Sequence, residues 1–136
     1  MFSFDNQIRV RYADTDQMQV VYHAKFIEYF ESGRTEAIRN LGITYKEIEE
    51  WGLIMPVVKL TIEYARPGLY DDLLTIRTIL KELPDSHSID FHQEIYNETE
   101  KLICKGTVTL FFVEKATRTK CMMPAPLREK LLPYFN

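Results

Sequence analysis

Two acids one residue apart, Asp14 and Asp16, precede an apolar run, Val20-Val21-Tyr22, and then a histidine, His23, where a helical pattern begins. A carboxylate can act as general base or nucleophile. The first turn of a helix presents unpaired N–H groups and the positive end of its dipole. Brought together, the two could attack a carbonyl and stabilise the oxygen that gains charge. The intervening apolar residues would anchor the loop that folds Asp16 back beside the helix end. Plainer readings stand beside this one. Both acids could be turn or cap residues, and His23 a surface histidine of a first turn. An Asp-x-Asp metal pair lacks a third or fourth ligand nearby, so no metal is expected.

These residues need elements to hold them. Residues 7–12 alternate apolar and polar side chains, which suits a strand. From His23 to Leu41, Phe26, Phe30, Ala37 and Leu41 form a helical stripe that Ile27 and Ile38 widen. Gly42 stands at the C-cap position. Gly33, inside the helix, predicts close approach to a flat surface. Glu31 and Arg34, three apart, suit an ion pair along the helix. Residues 44–51 predict a short second helix.

The remainder alternates with period two, predicting strands over 54–66, 72–80, 86–97 and 101–114. Ile54, Val58, Leu60, Ile62 and Tyr64 share one face of the first. Leu102, Cys104, Val108, Leu110 and Phe112 share one face of the last. His87 and His92 have opposite parity, so they cannot bind one metal together; His87 reads as core-facing or interfacial and His92 as exposed. Short breaks between the strands favour antiparallel neighbours. A short helix follows Pro124. The predicted architecture is α+β, one long central helix wrapped by a curved five-stranded antiparallel sheet.

Composition bounds the function. The chain has 136 residues, 46% of them hydrophobic, enough for a single domain over 1–136 with a real core. Its 17 basic and 20 acidic residues give a net charge of −3, so no nucleic acid is expected as a partner. No long apolar run suggests a signal peptide or a membrane span. Cys104 and Cys121 fit neither zinc spacing nor a CxxC motif, and read as free thiols in a cytoplasmic protein.

The stretch RVRYADTDQMQVVYHAKFIEYFESGRTEAIR resembles the signature of the hotdog-fold acyl-CoA thioesterases of the 4-hydroxybenzoyl-CoA thioesterase type. It is most similar to the Tol-Pal-associated acyl-CoA thioesterase subgroup. The matching residues are Tyr12, Asp14-Thr15-Asp16, Val20-Val21-Tyr22-His23, Glu31, Arg34 and Glu36, and IEYARPGLYDDLLTIRT resembles a later part of the family pattern. The resemblance implies a hotdog fold and hydrolysis of acyl-CoA to a free acid and CoA, without cofactor. It implies Asp16 as the catalytic carboxylate and the backbone N–H of His23 as the group that polarises the thioester carbonyl. It also implies a homodimer or homotetramer with sites at the subunit interface. The chain departs from the pattern at Gln19, where the family has glycine, and at Phe26, where it often has tyrosine.

Tyr22 and Val21, beside the catalytic pair, are candidate substrate contacts. Arg66, before the Pro67-Gly68 turn, and Lys59 are candidates for the CoA phosphates. The 54–66 segment is long, with Met55 and Val57 on its less apolar face, and at a sheet edge it would invite pairing with a second copy. A non-enzymatic acyl-CoA or lipid-binding module on the same fold would not need Asp16. An acyl-carrier-protein thioesterase would meet an acidic partner with an acidic chain, a poor electrostatic match.

Overall fold

The computed structural model describes residues 1–136. In chain order it contains β1 (Phe2–Arg9), a 3-10 turn (Tyr12–Asp14), α1 (Lys25–Asn40), α2 (Tyr45–Glu50), β2 (Leu53–Ile54), β3 (Val57–Tyr64), β4 (Leu73–Leu80), β5 (Ser88–Tyr96), β6 (Leu102–Phe111), β7 (Val113–Glu114), α3 (Ala125–Leu131) and a closing 3-10 turn (Leu132–Tyr134). Five strands form one antiparallel sheet in the order β1-β4-β5-β6-β3, while β2 and β7 pair separately. The sheet wraps α1, the hotdog arrangement that the sequence motif implied.

The helix buries one face. Phe26, Tyr29, Phe30, Gly33, Ala37 and Ile38 are buried against Leu74, Ile76, Ile89, Phe91, Ile95 and Val108 of the sheet. Phe30 is fully enclosed, and its truncation to alanine would cost about 3–5 kcal/mol. Ile27 is not part of this face; it is 42% exposed. Gly33 allows the close packing: a Cβ there would lie 2.7 Å from both Ile76 Cγ2 and Thr78 Oγ1. Gln93 Nε2 uses that proximity to donate to the Phe30 carbonyl at 2.8 Å and to Thr78 Oγ1 at 3.0 Å. The helix ends at Leu41, and Gly42 follows with φ +89°. Thr44 caps α2 by accepting from the Glu47 N–H.

Several expectations change in register. The first strand occupies Phe2–Arg9, because its partner β4 runs back as far as Leu80 and pairs with Phe2. Pro56, which has no N–H, divides the 54–66 segment into β2 and β3. A register shift between Val57 and Lys59 leaves Val58 exposed. A second irregularity pairs Tyr96 with Leu102 and Ile95 with Cys104, so Ile103 is the extra residue and is buried, and Leu102 does not share the Cys104 face. Arg34 does not pair with Glu31. Arg34 is 5% exposed, and its guanidinium donates to Gln93 Oε1 at 3.1 Å, because its place on α1 faces inward. His92 is half-buried and lies 3.2 Å from Thr107 Oγ1, while His87 stacks edge-on to Phe111 at 4.8 Å. Cys104 and Cys121 are both free, and burial pushes the Cys104 thiol up to about 12. No helix is long and apolar enough to cross a membrane.

Candidate active site

Residues 15–21 form a small hairpin ahead of α1. Thr15 and Val21 make an antiparallel bridge, and the Asp16 N–H donates to the Val20 carbonyl at 2.9 Å. The Gln19 N–H donates back to the Asp16 carbonyl, also at 2.9 Å. The last residue of such a short hairpin loop takes left-handed backbone. Gln19 does so, with φ +65°, at the position where the resembling family has glycine. The loop keeps the shape a glycine would permit, at a cost of about 1–2 kcal/mol.

The two acids have different surroundings. Asp14 is 1% exposed. Its Oδ2 accepts from the Tyr29 hydroxyl at 2.8 Å and from the Arg11 N–H at 3.2 Å; Oδ1 lies 3.2 Å from the Arg11 guanidinium and 3.6 Å from Lys25 Nζ. Burial opposes its charge, but the Tyr29 hydroxyl and the Arg11 groups outweigh burial and hold the carboxyl below its usual range. Burial, and then the bond to Asp14, raises the Tyr29 phenol. Asp14 therefore fastens the hairpin to the start of α1 and is closed to other partners.

Asp16 is half-buried and open. Its Oδ1 accepts from the Met18 N–H at 2.8 Å, which fixes the turn, and Oδ2 has no hydrogen-bond partner. It lines a concavity of about 750 Å³ with Tyr12, Gln17, Gln19, Leu69 and Tyr70. The far wall is set by the loop after β3. Val20 bridges to Leu69, and the Val21 N–H donates to the Gly68 carbonyl at 2.8 Å. A Cβ on Gly68 would lie 3.0 Å from Val21 Cγ2, so this approach is close.

Helix α1 begins without a side-chain cap, since the capping position is Ala24. His23 lies just before the helix, not inside it. Its N–H and that of Ala24 have no acceptor within the protein, whereas the Lys25 N–H is used by the Tyr22 carbonyl. A helix start so left offers free donors and a positive dipole end to an incoming oxygen. The His23 ring is exposed, 4.6 Å from the Tyr22 ring and 6.5 Å from Tyr64, whose hydroxyl donates to the His23 carbonyl at 2.9 Å.

The other candidates fall in separate places. Tyr22 is 48% exposed beside His23, but Val21 is buried and anchors the hairpin. Arg66 is on the loop beside the hairpin, and its Nη1 donates to the Leu102 carbonyl at 3.1 Å. Lys59 is on the edge strand opposite Thr109, roughly 16 Å along the strand from Tyr64. No hydrogen bond or ring contact joins Asp16 to His23. Sequence reading did not find Tyr29, Tyr64 or Tyr70 at this end of the fold. Tyr29 follows Lys25 by one helical turn, and that pairing on one face was the available signal.

A family model described as the thioesterase-like superfamily matches residues 10–131. The acyl-CoA thioesterase YbgC of Haemophilus influenzae is 38% identical over 114 residues, covering 83% of this chain and 81% of that protein. The putative acyl-CoA thioesterase YneP of Bacillus subtilis is 36% identical over 109 residues, covering 80% and 78% respectively. The DHNA-CoA thioesterase from Staphylococcus aureus has a similar structure, with a TM-score of 0.84 at 28% identity over 99% of this chain and 85% of that one. A mutant 4-hydroxybenzoyl-CoA thioesterase complexed with 4-hydroxybenzoyl-CoA shares the fold, with a TM-score of 0.85 at 18% identity over 96% of this chain and 99% of that one.

Proposed function

Because the chain belongs to the thioesterase-like superfamily, we propose that it hydrolyses the thioester of an acyl-CoA to a free carboxylic acid and CoA. The observation that carries this reading is the uncapped start of α1, where the His23 and Ala24 N–H groups are free on the same flank of the fold as the Asp16 hairpin. The thioester carbonyl oxygen accepts from the His23 N–H, and the helix dipole favours the charge it gains in the transition state. Asp16 supplies the attack by one of two routes. Its free oxygen adds to the carbonyl carbon and expels CoA thiolate, leaving a mixed anhydride that water cleaves; or the carboxylate takes a proton from the water that attacks. Tyr22 lies beside the His23 N–H and contacts the acyl group, Val21 holds the hairpin in place, and Arg66 and Lys59 bind CoA phosphates.

The similarity to YbgC proteins agrees with the subgroup read from the motif. The working unit in this proposal is a cytoplasmic homodimer, or a homotetramer built from two such dimers. Each chain contributes one hotdog domain over 1–136. A concavity walled by the exposed Tyr12, Leu69 and Tyr70 is well suited to closure by a second chain.

The test is release of CoA thiol by the purified protein over short, long and aromatic acyl-CoAs. Turnover of at least one class above the buffer rate is expected. No thiol release from any of them would overturn the reading.

A further inference from the structure

The peptide unit between His23 and Ala24 is held at one end and free at the other. Its carbonyl accepts from the Tyr64 hydroxyl at 2.9 Å and from no backbone N–H. Its N–H, that of Ala24, has no acceptor within the protein. A hydrogen bond to an amide carbonyl polarises the whole unit and strengthens the N–H at its other end as a donor, by about 10–30% per bond. The one carbonyl that the Tyr64 hydroxyl reaches thus belongs to a peptide whose N–H is free at the start of α1.

Tyr64 is held in place for this contact. It is the last residue of β3 and pairs with Cys104 of β6. Just beyond it, the Ala65 and Arg66 N–H groups both donate to the Ile103 carbonyl, at 2.8 and 3.1 Å, which fixes the strand end at the bulge. The Tyr64 ring packs 5.7 Å from the ring of the buried Phe26 and lies edge-on to His23 at 6.5 Å. Tyr64 is exposed, so water could satisfy its hydroxyl, yet the hydroxyl binds a backbone carbonyl 41 positions earlier in the chain. The helix start has no side-chain cap of its own, and Tyr64 reaches it from the edge strand instead. Successive N–H groups at a helix start point in the same general direction, so one oxygen can accept from both.

We propose that Tyr64 is a positioning residue for acyl-CoA hydrolysis. It orients and polarises the His23–Ala24 peptide, so that the Ala24 N–H joins the His23 N–H in donating to the thioester oxygen. Tyr64 acts through that peptide and not on the substrate. The inference rests on the acyl-CoA reading above; it adds a second donor and the side chain that sets it.

The test is Tyr64→Phe in the full-length protein. The variant removes the hydroxyl and keeps the ring beside Phe26 and His23, and it should melt close to the wild type because the lost bond is at the surface. Two quantities are read: steady-state kinetics on an acyl-CoA, and the infrared carbonyl stretch of a bound ketone analogue. In that analogue a methylene separates the CoA sulfur from the carbonyl, so it cannot be hydrolysed. Loss of a whole oxyanion donor costs about 10²–10³-fold in kcat, and Tyr64 tunes one donor without removing it, so kcat should fall by about 3–10-fold. KM and the affinity for the analogue should stay within about twofold of the wild type. The bound carbonyl should stretch at lower frequency than in water in the wild type, and move back toward the water value in Tyr64→Phe. A role in packing alone would lower the melting point or raise KM and leave the stretch unmoved. Unchanged kcat, a loss carried by KM instead, or the same stretch in both proteins would overturn the proposal. If the wild type hydrolyses no acyl-CoA, the thioesterase reading falls and the stretch alone decides. A shift present in the wild type and diminished in Tyr64→Phe then upholds the donor pair, while equal shifts or no binding of the analogue overturn it.

Discussion

The Tyr29 hydroxyl donates to Asp14 Oδ2 across 2.8 Å, and this contact ties the hairpin to the second turn of α1. Asp14 is buried and its pKa is lowered, so its charge is more favourable in the folded chain than in the unfolded one. The contribution of such a group is full above the unfolded carboxyl value, about 4, and is lost as pH falls through the lower folded value. Tyr29→Phe should lose about 1–3 kcal/mol at neutral pH in urea denaturation. Asp14→Asn should also be less stable at pH 7, but its deficit should narrow as the pH drops below about 4. A deficit that is constant from neutral pH down to acid would show that Asp14 is not the linked group.

Gln19 sits in left-handed backbone with an exposed side chain on the rim of the Asp16 concavity. Gln19→Gly should relieve strain and raise stability by up to about 1 kcal/mol, since the greater freedom of glycine in the unfolded chain offsets part of the gain. The rim also becomes wider. The variant should shift acyl preference toward bulkier groups, read as kcat/KM across an acyl-CoA panel. An unchanged profile would place Gln19 outside the acyl path.

At Gly33, local propensity and packing oppose each other. Alanine would favour the helix by about 1 kcal/mol. Its Cβ, however, would meet Gln93 Nε2 at 2.9 Å and Ile76 and Thr78 at 2.7 Å. Packing wins, because the helix would have to lift from the sheet and loosen the Gln93 bonds to Phe30 and Thr78. Gly33→Ala should destabilise by about 1–3 kcal/mol. A thermal midpoint at or above that of the wild type would refute this.

The edge strand carries exposed Val57 and Val58. If pairing of β3 with its symmetry mate builds the working unit, light scattering at micromolar concentration should give at least the dimer mass. Lysine at Val58 should weaken that assembly. A monomer at that concentration would remove the shared-site proposal and leave the fold intact.

How far the sequence could be read depends on the range of each interaction. Period-two alternation located the strands β3 to β6, and the 3.6 period located α1, because each signal repeats along its own segment. The cap at Gly42 was legible because a helix end is set locally, and Gly33 within the helical stripe marked the close approach to the sheet. The bulge at Ile103 was not, since an inserted residue is defined only against the partner strand. Arg34 misled the helix reading. Spacing alone pairs it with Glu31, while the choice of Gln93 depends on a strand 59 positions away. By residue type and spacing Asp14 and Asp16 look equivalent, and only the family resemblance singled out Asp16. Their separation into a buried anchor and an open carboxylate comes from Tyr29, Arg11 and Lys25 closing around the first alone.

That separation makes Asp16 the decisive test of mechanism. Asparagine keeps the Oδ1 that accepts from the Met18 N–H, so the hairpin turn should survive. It removes both the nucleophilic oxygen and the basicity. General-base work alone contributes about 10²–10⁴-fold. Asp16→Asn should therefore lower kcat for acyl-CoA hydrolysis by at least about 10²-fold, with little change in acyl-CoA affinity. It should melt close to the wild type, because Asp16 is only half-buried and makes one side-chain bond. Asp14→Asn should show the reverse pattern, a lower melting point with a smaller effect on the rate of the folded fraction. The two variants thus separate chemistry from anchoring by opposite signatures. Wild-type turnover in a folded Asp16→Asn protein would make Asp16 a turn residue and leave the free N–H groups at His23 and Ala24 without a catalytic partner.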